Sequence, residues 1–239
     1  QLEKHGLKLI ERNPSSFTPT KKGEYLLLGP DEKLNYEQIS KFSKRDAENY
    51  PKYEQMLNKF VKILDPLLDV PPVEAGSIWK QRDSLSVLLR QLTKLGFDAV
   101  EFAEILTAPA EKILRRWFES EPLLSTLATD SIIGAMVSPS VPGSSYVLLH
   151  HVMGDSGPKE GCWSYVKGGM GALSESIASA AKEFGAEIKT NAPVKKVLVK
   201  NGQAYGVLLE DGTEILGNRI ISNCDPYTTF LKLVDPKEN

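Results

Sequence analysis

The chain has 239 residues, 41% apolar and 25% charged, with 29 basic against 31 acidic side chains and a net charge of −2. That composition supports one or two packed domains and excludes a largely disordered chain. The near balance of charge, with no basic stripe interleaved with aromatics, argues against a nucleic-acid partner. No run of 18 apolar residues occurs, so nothing reads as a membrane-spanning helix. Cys162 and Cys224 lie far apart without CxxC spacing. Neither a zinc site nor a disulfide framework is expected, and a reducing compartment is. The sequence opens on Gln1 rather than Met, so it says nothing about a targeting segment.

In chain order, Leu7 to Ile10 and Tyr25 to Leu28 read as two short strands joined by a loop punctuated by Pro14, Pro19 and Gly23. Tyr53, Met56, Leu57, Phe60, Val61 and Leu64 then recur at helical spacing. Pro51 suits the start of that helix, and Asp65-Pro66 suits its end. After the breaker-rich stretch 70–76, Leu85, Leu88, Leu89, Leu92 and Leu95 form a second stripe, stopped by Gly96. Ala110, Ile113, Leu114, Trp117 and Phe118 form a third behind Pro109, and Ser120-Glu-Pro122 reads as a cap opening another helix. Each stripe is expected to face a core, although a substrate tunnel would show the same pattern. From 147 to 167 the helical period fades. Residues 154–161 read as a polar, glycine-rich turn with no nucleotide motif.

The last 70 residues are the most legible. Gly168-Gly169 precede a helix with Leu173, Ile177, Ala180, Ala181 and Phe184 on one side, stopped by Gly185. Residues 186–190 read as a strand. Segments 194–199, 203–209 and 213–216 read as a three-stranded meander, separated by Asn201-Gly202 and Asp211-Gly212, the dipeptides most favoured in tight hairpins. Residues 219–222 read as one more buried strand, closed by Asn223-Cys-Asp-Pro226.

This order of glycine pair, helix, strand, meander and strand resembles the second part of the FAD-binding domain shared by phytoene desaturases, amine oxidases and Rab GDP-dissociation inhibitors. The resemblance is carried by the stretch 168–178, by Gly185-Ala-Glu-Ile-Lys189, Val194-Lys-Lys-Val197, Gly206-Val207, Asp211-Gly212 and Ser222-Asn-Cys-Asp-Pro226. Trp117-Phe-Glu-Ser-Glu-Pro-Leu123, residues 126–130, Ile133-Gly-Ala-Met136, Pro142-Gly-Ser144 and the stretch 146–154 are more specific. They resemble the pyridine nucleotide-disulfide oxidoreductase domain-containing proteins of the animal phytoene-dehydrogenase-like branch.

The resemblance implies an α/β fold. Residues 167–239 would be the second part of an incomplete, Rossmann-like FAD-binding domain carrying the meander. Residues 1–166 would belong to an α+β, largely helical substrate domain. The implied cofactor is FAD. Val194 would meet its adenine through the backbone. Ser222, Asn223 and Cys224 would run beside it, and Gly168 and Gly169 would mark the return from the substrate domain. Each has a plainer reading: a buried strand residue at Val194, a helix-entry turn at Gly168-Gly169, and turn formers at Asn223 and Asp225.

A dinucleotide site also needs a glycine-rich turn that lets backbone N–H groups approach the pyrophosphate. No GxGxxG occurs in the sequence, and Gly168-Gly-Met-Gly171 has the wrong spacing. The resemblance places the phosphate turn before the region matched by Gln1 and a further flavin-contacting segment after Asn239. On that basis the 239 residues alone are expected to bind no flavin, to be inactive, and to self-associate through uncovered apolar sheet surface.

Hydride transfer to a flavin asks little acid–base work of the protein, and no catalytic residue stands out. His150-His151, read on a strand, would point to opposite sides and could not share a metal. With no HExxH or GxSxG, metal or triad chemistry is not expected. Trp163 and Tyr165 are candidates for the substrate side, with core packing as the alternative. Two functions stand open: an FAD-dependent oxidoreductase acting on an apolar or amine-like small molecule, or a non-catalytic escort like the GDP-dissociation inhibitors. The animal branch also implies a mitochondrial matrix location.

Overall fold

The computed structural model describes residues 2–71, 82–154 and 163–235. Most of the segments 70–76 and 154–161, together with Cys162, therefore lie outside the described residues. The chain divides into two compact units, with the division inside one helix: a helical unit, Gly6–Leu173, and a meander unit made of Gln1–His5 with Ser174–Asn239.

The helical unit begins with β1 (Leu9–Glu11), β2 (Ser16–Pro19) and β3 (Tyr25–Leu28). The first loop was expected to join two strands. It contains a third, because β3 needs a partner and finds it in β2, with Phe17 opposite Leu27 and Thr18 opposite Leu26. β1 pairs instead with β4 (Ser164–Val166), setting Ile10 opposite Tyr165.

Helices α1 (Glu32–Ser40) and α2 (Lys44–Leu68) follow. Asp31 caps α1 by accepting from the Lys33 and Leu34 backbone N–H groups. α2 does not start at Pro51 or stop before Pro66; both prolines lie inside it. It starts seven residues earlier because Ser43 caps it, its hydroxyl accepting the Asp46 N–H at 3.1 Å. Asp46 is itself fully buried. Its carboxylate accepts the Glu119 and Ser120 N–H groups at 3.0 and 2.8 Å, and the Ser120 hydroxyl as well. A buried charge is tolerable there because it is fully hydrogen-bonded. It also fastens α2 to the start of the helix that follows Ser120.

The stripe read from sequence for α2 is the core: Tyr53, Met56, Leu57, Phe60 and Leu64 are buried. Around it pack α4 (Ala99–Thr107), α5 (Ala110–Trp117), α6 (Glu121–Thr129) and α7 (Ser144–Val152). Tyr53 meets Phe118 edge to face at 5.2 Å, and Phe60 meets Phe102 at 5.4 Å. α5 buries Ala110, Ile113 and Leu114 behind Pro109, which stands at its cap position.

Two expectations fail here. α3 (Arg82–Leu95) buries Ser84, Gln91 and Leu95, while Leu89 and Leu92 are about half exposed. Its leucines span an arc wider than the one its neighbours cover, so periodicity found the helix but not the inward face. The fading period after 147 is also misleading, because α7 runs through it to Val152. Gly143, left-handed at φ 87°, precedes that helix. The Ser144 hydroxyl accepts the Ala110 N–H at 2.9 Å and locks the two helix starts together.

α8 (Met170–Glu183) carries the chain into the meander unit, where β5 (Val194–Lys200), β6 (Gln203–Leu209) and β7 (Glu214–Leu216) form an antiparallel sheet in that order. Asn201 and Gly202 both take positive φ, as a tight hairpin turn requires. Gly206 is needed for close approach: a Cβ there would lie 2.7 Å from the Ile215 carbonyl oxygen. Segments 186–190 and 219–222 are not strands. A strand exists only as a hydrogen-bonded ladder, and no described segment pairs with either. Ile188 and Ile221 are accordingly exposed rather than buried. The expected apolar side of α8 is open too, with Phe184 88% and Ile177 51% exposed. Among the described residues no helix is long and apolar enough to cross a membrane.

Candidate functional site

In the meander unit, Val194 opens β5 and faces Leu209. The register then slips: Lys196, not Lys195, faces Leu208, so Lys195 is an extra residue that bends the strand at its start. Val194 is 37% exposed rather than buried, so the plain reading of a core strand residue does not describe it. Beside it lies an open cleft of ≈580 Å³, lined by residues 189–193 on one side and by Leu209, Glu210, Asp211 and Thr213 on the other.

The cleft walls are fixed by backbone hydrogen bonds. Glu210 N–H donates to the Pro193 carbonyl at 3.0 Å, and Leu209 N–H to the Thr213 carbonyl at 2.8 Å. Asn191 takes the left-handed region at φ 53°, which asparagine tolerates better than most side chains. The Asp211 carboxylate accepts the Thr213 N–H at 2.8 Å, and this bond holds its pKa below the usual carboxylate value. From sequence, Lys189, Thr190, Leu209 and Thr213 read as strand residues and Asp211 as a turn former; none reads as lining a cleft. Asn191-Ala-Pro193, a turn former two residues before a proline, was the available signal.

Ser222, Asn223 and Cys224 are exposed and irregular. The Ser222 hydroxyl lies 2.8 Å from that of Thr229, and the Cys224 N–H donates to Ser222 Oγ at 3.3 Å. Thr229 belongs to a helical turn, Thr228–Leu233, that packs beside β5. Asp225 caps this turn. It accepts the Thr228 N–H and hydroxyl at 2.9 and 2.8 Å, the N–H bond being the main reason its pKa is lowered. Asp225 is thus a turn former, as the plainer sequence reading had it. The same hydrogen bonds tie Ser222 to an element lying along the strand that Val194 begins.

In the helical unit, Gly168 and Gly169 both sit in the left-handed region, at φ 89° and 82°. A Cβ at Gly168 would also crowd the Ala172 side chain at 3.3 Å. The Gly169 N–H is spent on the Val166 carbonyl at 2.9 Å. The pair is therefore a strand-to-helix turn with an amide already engaged, not an open anion cradle.

Trp163 and Tyr165 stand in or beside β4, and neither is core: they are 45% and 59% exposed. The Arg12 guanidinium lies 5.9 Å over the Tyr165 ring. The Trp163 ring stacks on His151 at 5.1 Å with the planes 16° apart, and its indole N–H donates to the His151 carbonyl at 3.3 Å. The two histidines are on a helix, not a strand, so they are offset by about 100°. His150 is exposed and His151 is buried. Among the described residues no group of three or more His, Cys, Asp or Glu side chains could hold a metal.

The model of the flavin containing amine oxidoreductase family matches residues 6–238, nearly the whole chain. The chain belongs to that family. Within it, the chain is 49% identical to "Pyridine nucleotide-disulfide oxidoreductase domain-containing protein 2" of Rattus norvegicus and 47% identical to its Mus musculus counterpart. All of this chain aligns with each, covering 44% of either relative. It is also 30% identical to a chloroplastic prolycopene isomerase of Daucus carota, over 63% of this chain and 24% of that one. The chain thus spans less than half the length of these curated relatives. Membership makes this a flavin-dependent oxidoreductase family protein, with FAD as the family cofactor and relatives among carotene desaturases and isomerases.

The residues present fit one end of such a cofactor. An exposed, bulged strand opening next to a polar cleft of this size can take a planar base against its backbone. The other end has no counterpart among the described residues, since the paired glycines are already committed to a turn.

Proposed function

We propose that this chain forms the adenine-side wall of an FAD site, together with much of the substrate region, in an FAD-dependent oxidoreductase that takes hydride from an apolar or amine-like substrate. The observation that carries the reading is the opening of β5: an exposed Val194, a bulge at Lys195, and a cleft walled by residues 189–193 and 209–213. Bound flavin would supply the hydride acceptor. The chain's own part is binding and exclusion of water: Val194 and the cleft hold the base, and Ser222 and Cys224 border it from the turn beside β5. Trp163 and Tyr165 present aromatic faces suited to an apolar substrate.

The 239 residues by themselves are expected to purify without a flavin band, because no described backbone offers a free pyrophosphate cradle. The full-length protein is expected to show one, and replacing Val194 with Pro, which disturbs the strand opening, to weaken it. A stoichiometric flavin spectrum from the 239 residues, or a full-length protein indifferent to Val194→Pro, would overturn the reading. We also propose a mitochondrial matrix location, carried over from the resemblance to the animal branch alone and tested by organelle fractionation.

A further inference from the structure

His151 is more than nine-tenths buried, and its Nε2 has no hydrogen-bond partner among the described residues. A buried polar atom left unpaired costs stability. A phenylalanine could stack on Trp163 without that cost, so packing alone does not explain an imidazole here. Its other nitrogen, Nδ1, lies 3.3 Å from the Val147 carbonyl one helical turn back. His151 therefore touches Trp163 twice, ring to ring and through its carbonyl, while its outer nitrogen is uncommitted.

The charged surroundings are specific. Asp130, just past α6, interacts electrostatically with His151 and with Arg12, which follows β1. Burial raises the Asp130 pKa, and the two cationic partners oppose the rise. From α2, Tyr50 and Tyr53 face Asp130; burial raises both phenol pKa values, so they are neutral hydroxyls at ordinary pH. Glu54 is the nearby acid on that helix. On α4 and α5, Glu104 is engaged with Lys112 and Arg116, and Glu111 with Arg115. On its own helix His150 is exposed. Asp130 is thus the acidic group that interacts electrostatically with His151.

We propose that His151 is a positioning residue for Trp163: the stacked imidazole fixes where the indole stands, and taking up a proton, with Asp130 as counter-charge, changes that contact. A neutral imidazole on an indole is an ordinary aromatic stack. An imidazolium there is a cation over a π face, an electrostatic attraction that the neutral ring lacks. The proposal rests on the preceding reading only for its meaning, namely that Trp163 faces substrate. The contact itself exists without flavin.

The experiment is a pH titration of Trp163 fluorescence in the full-length protein, isolated as the difference between the parent and Trp163→Phe. Its range is the interval where histidine changes charge, about pH 5–8. The expected result is a pH-dependent change in Trp163 emission across that interval. His151→Phe, which keeps a stack but cannot bind a proton, should abolish it. Asp130→Asn should move the midpoint to lower pH, by on the order of three- to ten-fold in proton affinity, because a neighbouring negative charge is lost. A parent with no pH response, or an undiminished response in His151→Phe, overturns the proposal. Should His151→Phe fail to fold, Asp130→Asn still decides: an unmoved midpoint overturns it and a lowered one supports it. None of these readouts requires bound flavin, so the positioning role and the flavin site can fail separately.

Discussion

The two units solve the problem of burying apolar surface very differently. Among the described residues of the helical unit, 23 apolar residues form one buried cluster running from Leu26 to Leu149. In the meander unit, Val197 and Leu209 are the buried apolar residues among those described, while Ile177, Phe184, Ile188, Leu216, Ile221 and Leu231 are each at least 45% exposed. A three-stranded sheet has two edges and two faces, and only part of one face is covered here. Hydrogen bonding can be complete in such a unit while hydrophobic stabilisation stays small. Secondary structure and stability are thus separable: the meander is the better-formed sheet, and the helical bundle is the better-formed core.

The sharpest way to break that comparison is to remove one core residue from each side. Phe118, 2% exposed and packed against Tyr50 and Tyr53, should cost about 3–5 kcal/mol on truncation to Ala. Val197→Ala should cost no more than about 1–2 kcal/mol, with fewer groups to leave unpacked. Urea unfolding read by hydrogen exchange separates them. Equal losses, or slower exchange in the meander than in α2 and α5, would mean that core size does not rank the two units.

Gly206→Ala is next in size. The added carbon would sit 2.7 Å from the Ile215 carbonyl oxygen, so β6 and β7 must part. A loss of about 1–3 kcal/mol is expected, confined to the meander amides and leaving those of α2 unchanged.

Smaller effects come from charge. Asp130 has its pKa raised chiefly by burial. The sign follows: its favourable protonated form is fully present below the unfolded carboxylate pKa, and stability is lost as pH rises through the higher folded value. Asp130→Asn should therefore stabilise the protein at neutral pH and do little at acid pH, as urea midpoints at the two pH values would show. Glu104 is the opposite case. Hydrogen bonds from Arg116 and Lys112 lower its pKa to about 2. Its contribution is present above the unfolded value and is lost as pH falls through about 2. The pair network is solvent-accessible, so Glu104→Gln should cost less than about 1 kcal/mol, and less still in high salt.

Much of the chain was legible before any coordinates. The stripes at Tyr53–Leu64 and Ala110–Phe118, the cap at Ser120, and the meander with its Asn201-Gly202 and Asp211-Gly212 turns are local facts. They depend on residue spacing and on local turn and helix-start preferences, and the structure keeps them. Prolines 51 and 66 were misleading because their local preference was outweighed by the Ser43 cap and by packing along α2. The candidate site was legible only as a set of positions. That Val194 is exposed beside a cleft, that Trp163 stacks on a buried His151, and that Asp130 interacts electrostatically with that histidine follow from residues distant in the chain.

The sequence by itself determined the periodic elements, the turns and the family resemblance, because each is written in neighbours a few residues apart. Only the tertiary structure decided which strands have partners, which side of α3 and α8 is covered, and which polar groups are buried without one. Pairing, burial and desolvation are properties of what approaches from elsewhere, and no local pattern encodes them.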